Sequence, residues 1–236
     1  AVINMDILEL TQEEIIEKIQ SLYEKKEFST LKGLLSQMNP ADIASVLDEV
    51  TPSQRLLLFR LLAKEEAAET FVELDSDTQE SLIHAFSDTE LKEVLDELYI
   101  DDAVDVVEEM PATVVKSILK NAESEMRESI NALLKYPEDS AGSIMTPEFV
   151  DLKKDMTVED AFKRIRRTGV DKETIYTCYV CDSSRKLIGV TTVKELLLHD
   201  YEDVIGDFME TNTISLNTLD DQELATQLFD KYNFLA

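Results

Sequence analysis

The chain has 236 residues and a formal net charge of −27, from 50 acidic and 23 basic residues. This charge argues against nucleic acid and anionic membrane surfaces as partners, because both carry the same sign, and it favours cations or a basic protein surface. The longest apolar run, Leu56–Phe59, is far shorter than the roughly 20 residues of a membrane-spanning helix. We therefore expect a folded, helix-rich piece located in the cytoplasm.

The start of the chain predicts a long amphipathic helix over residues 10 to 28. Thr11 stands at the N-cap position and Glu14 follows three residues later. A Thr and a Glu at this spacing can each accept from the other's backbone N–H, which is the capping-box arrangement.

Residues 30 to 134 repeat with a period of twelve. In nine-residue cores that begin at Thr30 and recur until Met126, the fifth and ninth positions are apolar in every unit except at Thr70. A spacing of four residues places both positions on one helical face. Helices this short are not stable alone, so we expect successive units to stack into a superhelix.

Acidic residues concentrate between Asp88 and Glu109, where Lys92 is the single basic residue. Asp101 and Asp105 are four residues apart and share a helical face, so their charges repel by a few tenths of a kcal/mol. Two interpretations remain open on this evidence. The acids can form a solvated helix face, or they can bind a hard cation such as Mg²⁺, which prefers carboxylate oxygens.

The helical pattern ends in the joint Tyr136–Val150, which contains two prolines and one glycine. The order strand, helix, strand, turn, strand, helix follows as far as Leu198, which predicts a β-α-β-β-α motif. A shift of 64 residues lays a second copy on the first, with Met145 on Met209 and Ala161 on Ala225. This second copy stops at Ala236, after its predicted first strand and most of its first helix.

Cysteine and histidine give no catalytic pattern. Cys178 and Cys181 form a C-x-x-C in a strand-like run, where residues three apart point to opposite faces and cannot grip one ion. His84 and His199 are each isolated, and no nucleophile–base arrangement surrounds a Ser or Cys. We expect structural thiols and no enzyme.

The amino-acid sequence of the joint resembles the segment that enters the first CBS domain of MgtE-type magnesium transporters. The resemblance runs from Tyr136-Pro-Glu-Asp-Ser-Ala-Gly to Met145-Thr-Pro-Glu-Phe149. The resemblance covers nearly the whole chain. It implies a multidomain α plus α/β protein, in which a helical-repeat superhelix precedes a CBS pair whose second copy is truncated. The expected domains are residues 1–135 (acidic helical), 136–200 (first CBS) and 201–236 (start of the second CBS).

The same resemblance implies a cytosolic Mg²⁺-sensing region on the cytoplasmic face of the membrane, attached to a transmembrane pore domain of the same chain. In that family, acids of the second CBS domain hold Mg²⁺ against the helical domain, and low Mg²⁺ lets the two separate. CBS pairs usually associate two-fold, so a homodimer through these domains is expected. The matching candidate metal ligands are Asp101, Asp102, Asp105, Asp221, Glu223, Asp230 and the neutral Asn233.

Two further functions remain open. Thr192 matches the threonine with which many CBS domains hold the ribose and phosphate of an adenosine nucleotide such as ATP, but Glu195 replaces the usual aspartate. A helix cap explains this pair equally well. The other alternative is an acidic helical-repeat scaffold that docks a basic protein.

Overall fold

The computed structural model describes residues 11–234. The chain forms two compact units, the first holding the chain up to Leu98 together with Asp102–Arg127 and the second holding Tyr99–Asp101 and the chain from Glu128 onward. The helices of the described residues are α1 (Gln12–Glu24), α2 (Phe28–Leu35), α3 (Pro40–Glu49), α4 (Pro52–Phe59), α5 (Lys64–Val72), α6 (Ser76–Ala85), α7 (Asp88–Leu95), α8 (Ile100–Glu109), α9 (Ala112–Asn121), α10 (Ser124–Leu133), α11 (Val158–Thr168), α12 (Val193–Leu198), α13 (Ile205–Phe208) and α14 (Gln222–Tyr232).

Helix α1 has the predicted capping box. The Thr11 backbone N–H donates to Glu14 Oε2 at 2.8 Å, and the Glu14 N–H donates to Thr11 Oγ1 at 3.3 Å. Two orphan donors at the helix start are satisfied in this way. The predicted position 10 lies outside the described residues.

The period of twelve is confirmed by the nine helices α2 to α10. Each begins twelve residues after the one before, from Phe28 in α2 to Ser124 in α10. Every fifth position of the predicted cores is buried, including Thr70, which is 0% exposed. The column consists of Leu34, Val46, Leu58, Thr70, Leu82, Val94, Val106, Ile118 and Ile130.

The ninth positions lie just past the helix ends, which differs from the prediction that they share a helical face with the fifth. Met38, for example, follows the end of α2 at Leu35, and its N–H donates to the Leu35 carbonyl at 2.9 Å. The helices begin two residues earlier than the predicted cores, and several of them, including α2, α4 and α7, end in bonds between residues three apart. The apolar side chain of the ninth position therefore belongs to the connection between two helices, not to the helix itself.

Helices of the repeat make their most extensive contacts with the next helix but one. Helix α3 packs on α5, α5 on α7 and α7 on α9, while α4 packs on α6. We expected successive units to stack. Each helix instead buries a stripe broad enough to touch several neighbours, as Ile43, Ala44, Val46 and Leu47 do in α3.

The second unit contains a three-stranded sheet in the order β1 (Val150–Leu152), β2 (Thr177–Cys181), β3 (Leu187–Thr192). Strand β1 is parallel to β2, and β2 is antiparallel to β3. Alternate residues of the sheet form a core with α11, α12 and α13: Val150, Leu152, Val158, Ala161, Ile165, Cys178, Val180, Leu196 and Ile205. The predicted β-α-β-β-α motif is confirmed.

The second copy matches the first in its helix but not in its strand. Helix α14 (Gln222–Tyr232) lies 64 residues after α11 (Val158–Thr168) at both ends. The predicted strand around Ile214 and Leu216 is irregular.

In residues 11–234, none of the helices combines the length and the apolar composition needed to cross a bilayer.

Candidate functional site

Asp221 is held in place by the joint. The Ala141 N–H donates to the Asp220 carbonyl at 2.7 Å, and the Gln222 N–H donates to the Asp139 carbonyl at 2.8 Å. These two bonds lie on either side of Asp221, and the Gly142 N–H adds a third to the Thr218 carbonyl at 2.8 Å. The loop before α14 is therefore fixed to the segment that enters the first CBS motif.

The acids of α14 lie at its two ends. Asp221 is the N-cap, and its Oδ1 accepts from the Glu223 N–H at 2.8 Å. Asp230 and Asn233 lie at the other end, where Asn233 adopts the left-handed conformation at φ 54°. Nine residues of helix separate Asp221 from Asp230, a rise of about 13 Å. One ion can therefore contact Asp221 and Glu223, or Asp230 and Asn233, but not all four.

The start of α8, which carries the other candidate acids, is bonded to the joint within the second unit. Glu148 Oε2 accepts from the Ile100 N–H at 2.7 Å. Burial raises the pKa of Glu148, and the nearby Asp101 charge raises it further, against the lowering effect of the Ile100 bond. Asp101 Oδ1 is buried and has no hydrogen-bond partner, which is an unusual state for a carboxylate oxygen.

The acids of α7 are already neutralised by basic residues. Arg60 Nε lies 2.7 Å from Glu90, Lys92 bridges Asp96 and Glu123 at 2.8 and 2.7 Å, and Lys120 pairs with Asp88 at 3.0 Å. In the sequence, Lys92 is the single basic residue of this acidic stretch, because the other two cations, Arg60 and Lys120, lie about thirty positions away from the acids that they pair with. The candidate cation ligands are thus those of α8, not of α7.

Among residues 11–234, no three His, Cys, Asp or Glu side chains are grouped closely enough to hold a metal ion. The donor chemistry nevertheless suits Mg²⁺, since Asp101, Asp221 and Glu223 offer hard carboxylate oxygens. Asp102 and Asp105 follow on α8, where Asp105 is exposed and Asp102 is half-buried. In each unit, acidic side chains offer oxygen atoms, but these do not form a closed coordination shell.

Thr192 and Glu195 form a helix cap. Glu195 Oε2 accepts from the Thr192 N–H at 2.8 Å and from the hydroxyls of Thr191 and Thr192 at 3.1 and 3.3 Å. The Glu195 N–H donates in turn to Thr192 Oγ1 at 3.2 Å. This carboxylate is occupied by local bonds, as the helix-cap interpretation of the sequence predicts.

Thr192 also lines a cleft of ≈ 480 Å³ between the sheet and the second copy, which we call the apolar cleft. Its walls include Tyr179 on β2 and, from the second copy, Phe229 and Phe234, whose rings meet edge to face at 6.0 Å. Asn233 contributes from the same side. Sequence analysis did not identify these aromatic residues, although the 64-residue repeat would have directed attention to the sheet face that the second copy covers.

Of the two cysteines, Cys178 has the buried position that was predicted for both. Cys178 is fully buried on the core face of β2, and Cys181 is half-buried on the other face. Burial raises the pKa of the Cys178 thiol to about 12. Neither thiol is positioned to share an ion with the other.

Comparison with known proteins agrees with this architecture. The family model "MgtE intracellular N domain" matches residues 38–139, and that of the CBS domain matches residues 141–202. The magnesium transporter MgtE of Thermus thermophilus is 31% identical over 229 residues, which covers 94% of this chain and 50% of that protein. The Bacillus subtilis magnesium transporter MgtE is 26% identical, with 96% and 50% coverage. The chain thus spans about half the length of the curated relatives it matches.

Among solved structures, the cytosolic domain of the Mg²⁺ channel MgtE in complex with ATP superposes with a TM-score of 0.87 and 30% identity. The match covers 93% of this chain and 90% of that one. Helical repeat, joint and first CBS motif therefore occur here in the same order and over the same length as in that cytosolic domain. On this evidence the chain belongs to the MgtE family.

Proposed function

We propose that this chain is the cytosolic Mg²⁺-sensing region of a magnesium transporter, with Mg²⁺ bridging acids of the helical repeat, on α8, and acids of the second CBS copy, on α14. The observation that carries the proposal is the Asp101 carboxylate, whose Oδ1 is buried without a hydrogen-bond partner. A cation would satisfy this oxygen. The relatives named magnesium transporters support Mg²⁺ as that cation.

The proposed bridge would join α8, through Asp101 and Asp105 with Asp102 beside them, to the Asp221–Glu223 end of α14. Asp230 and Asn233 would form a second ligand group at the other end. Two carboxylates ~5 Å apart repel by roughly 1 to 3 kcal/mol for dielectric constants of 80 down to 20. Several such pairs favour separation without the ion, and Mg²⁺ shifts the balance because it binds only the closed arrangement tightly.

The test is calorimetric titration of Mg²⁺ into the double variant Asp101→Asn with Asp105→Asn. The matched control is Glu65→Gln with Glu69→Gln, two exposed acids at the same spacing on α5 that also remove two charges. We expect about tenfold weaker binding or more in the first variant and little change in the control, because only direct ligands contribute strongly at physiological ionic strength. If Mg²⁺ binding weakened equally in the variant and in the control, its affinity would depend on net charge alone.

Small-angle scattering of the wild-type chain separates the sensor from the acidic scaffold. The sensor predicts a smaller radius of gyration in Mg²⁺ than in sodium at matched ionic strength. A scaffold for a basic protein predicts the same radius in both.

An adenosine nucleotide is a second candidate ligand, favoured by the apolar cleft. Its size and its aromatic lining, with Tyr179 and Phe234, suit a flat base. The related MgtE cytosolic domain was solved with ATP. Phe234→Ala should weaken ATP binding measured by calorimetry, whereas Val170→Ala, at an exposed position outside the cleft, should leave it unchanged.

We also propose that two copies associate through the CBS unit and that the transporter's pore domain continues the chain. Leu197, Leu198 and Tyr201, which lie within five residues of sequence, are 69%, 76% and 61% exposed, and large apolar side chains left exposed are typical of interfaces. Leu197→Ser with Leu198→Ser should reduce the dimer fraction in sedimentation velocity. The exposed Val170→Ser serves as control, and an unchanged dimer fraction in the double variant would exclude this surface.

A further inference from the structure

A second cleft of the CBS unit is lined by cations, although the chain as a whole is strongly acidic. This basic cleft has a volume of ≈ 600 Å³ and lies on the sheet face that carries Phe149 and Cys181. Four basic residues line it against two acids: Lys153, Arg164, Lys172 and Arg185 against Asp151 and Asp171. In a protein of net charge −27, such a local excess of positive charge is a candidate for binding an anion.

One of the two acids is neutralised within the wall. Arg164 forms an ion pair with Asp151 and donates through Nε to the Asp151 carbonyl at 2.5 Å. Burial acts to raise the pKa of Asp151, but the Arg164 bond and the charges of Arg164 and Lys153 outweigh it and lower the pKa. The guanidinium is thereby fixed in orientation, and it has five N–H donors in total, so donors remain for a ligand.

Two further cations are fixed by the turn between β2 and β3. Lys153 Nζ donates to the Asp182 carbonyl at 3.2 Å, which leaves two of its three N–H groups. Asp182 Oδ1 accepts from the Ser184 and Lys186 N–H groups at 2.8 and 3.0 Å, which ties the turn that carries Arg185. Burial raises the pKa of the Cys181 thiol, and the charges of Lys153 and Arg185 act in the opposite direction. Within residues 11–234, neither cation has a carboxylate within 4.0 Å.

The two clefts are related by the 64-residue repeat but differ in chemistry. Phe149, Asp151 and Arg164 of the basic cleft correspond to Thr213, Ser215 and Leu228 of the apolar cleft. The ion pair of Asp151 and Arg164 replaces the uncharged Ser215 and Leu228. The flat, uncharged base of a nucleotide suits the apolar cleft. In the basic cleft it would bury charged side chains without giving them a partner.

We propose that the basic cleft binds a compact phosphate-class oxyanion, held by Lys153, Arg164 and Arg185. Each of these groups can make charge-assisted hydrogen bonds to phosphate oxygens, which are about twice as strong as neutral ones. The anion comes either from free phosphate or pyrophosphate or from the phosphate groups of a nucleotide. The site is separate from the apolar cleft and does not depend on Mg²⁺ sensing.

The test uses inorganic pyrophosphate and the whole 236-residue chain at fixed ionic strength without Mg²⁺. The variant is Lys153→Gln with Arg185→Gln, and the control is Lys154→Gln with Arg167→Gln, which changes the charge equally at exposed positions outside the cleft. The readouts are calorimetric titration and the rate at which uncharged N-ethylmaleimide modifies Cys181. We expect pyrophosphate to slow this modification and the cleft variant to bind it about tenfold more weakly or worse.

A parallel titration with ATP distinguishes the sources of the anion. If ATP competes with pyrophosphate in the wild type and Phe234→Ala does not relieve the competition, nucleotide phosphates occupy the basic cleft. If ATP does not compete, the ligand is free phosphate or pyrophosphate, and the proposal stands. No saturable pyrophosphate binding, equal weakening in variant and control, or unprotected Cys181 would each overturn it, whatever becomes of the nucleotide proposal.

Discussion

Replacing Gly142 by alanine should destabilise the chain and disturb the Asp221 loop. An added Cβ would lie 2.6 Å from Tyr136 Cδ1 and 2.8 Å from the Thr218 carbonyl oxygen, whereas non-bonded carbon atoms prefer about 3.5–4.0 Å. The oxygen cannot turn away, because it accepts the Gly142 N–H at 2.8 Å. The bonds around Asp221 must therefore move.

The expected magnitude combines two opposing effects. Overpacking of this kind lowers the free energy of unfolding by about 1–3 kcal/mol. The smaller conformational entropy of the unfolded alanine variant offsets about 0.4–1 kcal/mol of this loss. The free energy of unfolding should therefore fall by about 1–2 kcal/mol. Gly142→Ala should also weaken Mg²⁺ binding if Asp221 is a ligand, because the loop that positions it is displaced.

Urea unfolding with a matched glycine variant checks this reasoning. Gly33 lies inside α2, and a Cβ there would meet nothing within 4 Å. Gly33→Ala should therefore raise the free energy of unfolding by about 0.5–1 kcal/mol. If Gly142→Ala were as stable as the wild type or more stable, the close approach of joint and loop would be refuted.

Two other predictions concern the helical unit. Thr70→Val should raise the free energy of unfolding by about 1 kcal/mol, because the Thr70 hydroxyl is buried without a partner. A urea titration in which Thr70→Val is no more stable than the wild type would contradict this. The hydrogen bond from Arg60, together with those from Ser87, lowers the pKa of Glu90 from 4.5 to about 2, so this stabilisation is present above about pH 4.5 and is lost as the pH falls towards 2. The difference in unfolding free energy between wild type and Arg60→Gln should accordingly shrink over that range, and a pH-independent difference would count against the pair.

The parts of the fold that could be predicted from the sequence are those with local signals. Thr11, Pro40 and Pro52 mark helix starts, and the column through Thr70 marks the buried face, because caps and periodicity act over a few residues. Helix α14 was predicted from its likeness to α11.

Features made by distant residues could not be predicted. Arg60 and Glu90 are thirty positions apart, so the run of acids from Asp88 onward gives no local sign that cations neutralise those of α7. The four cations of the basic cleft come from the residue after β1, from α11, from the segment before β2 and from the turn between β2 and β3, and no stretch of sequence carries them together. The capping role of Glu195 was one of two open interpretations, and only the bonds to Thr191 and Thr192 distinguish between them.

The packing of every second helix has a consequence for how such a repeat can change in length. Because α3 contacts α5, α5 contacts α7 and α7 contacts α9, the odd-numbered helices α3 to α9 form one stack, and the even-numbered α4 and α6 pack on each other beside it. Loss of one helix with its connection, twelve residues, would transfer every later helix to the opposite stack. Loss or duplication of two helices, twenty-four residues, would keep each on its own side. We expect relatives of different length to differ in this region by pairs of helices.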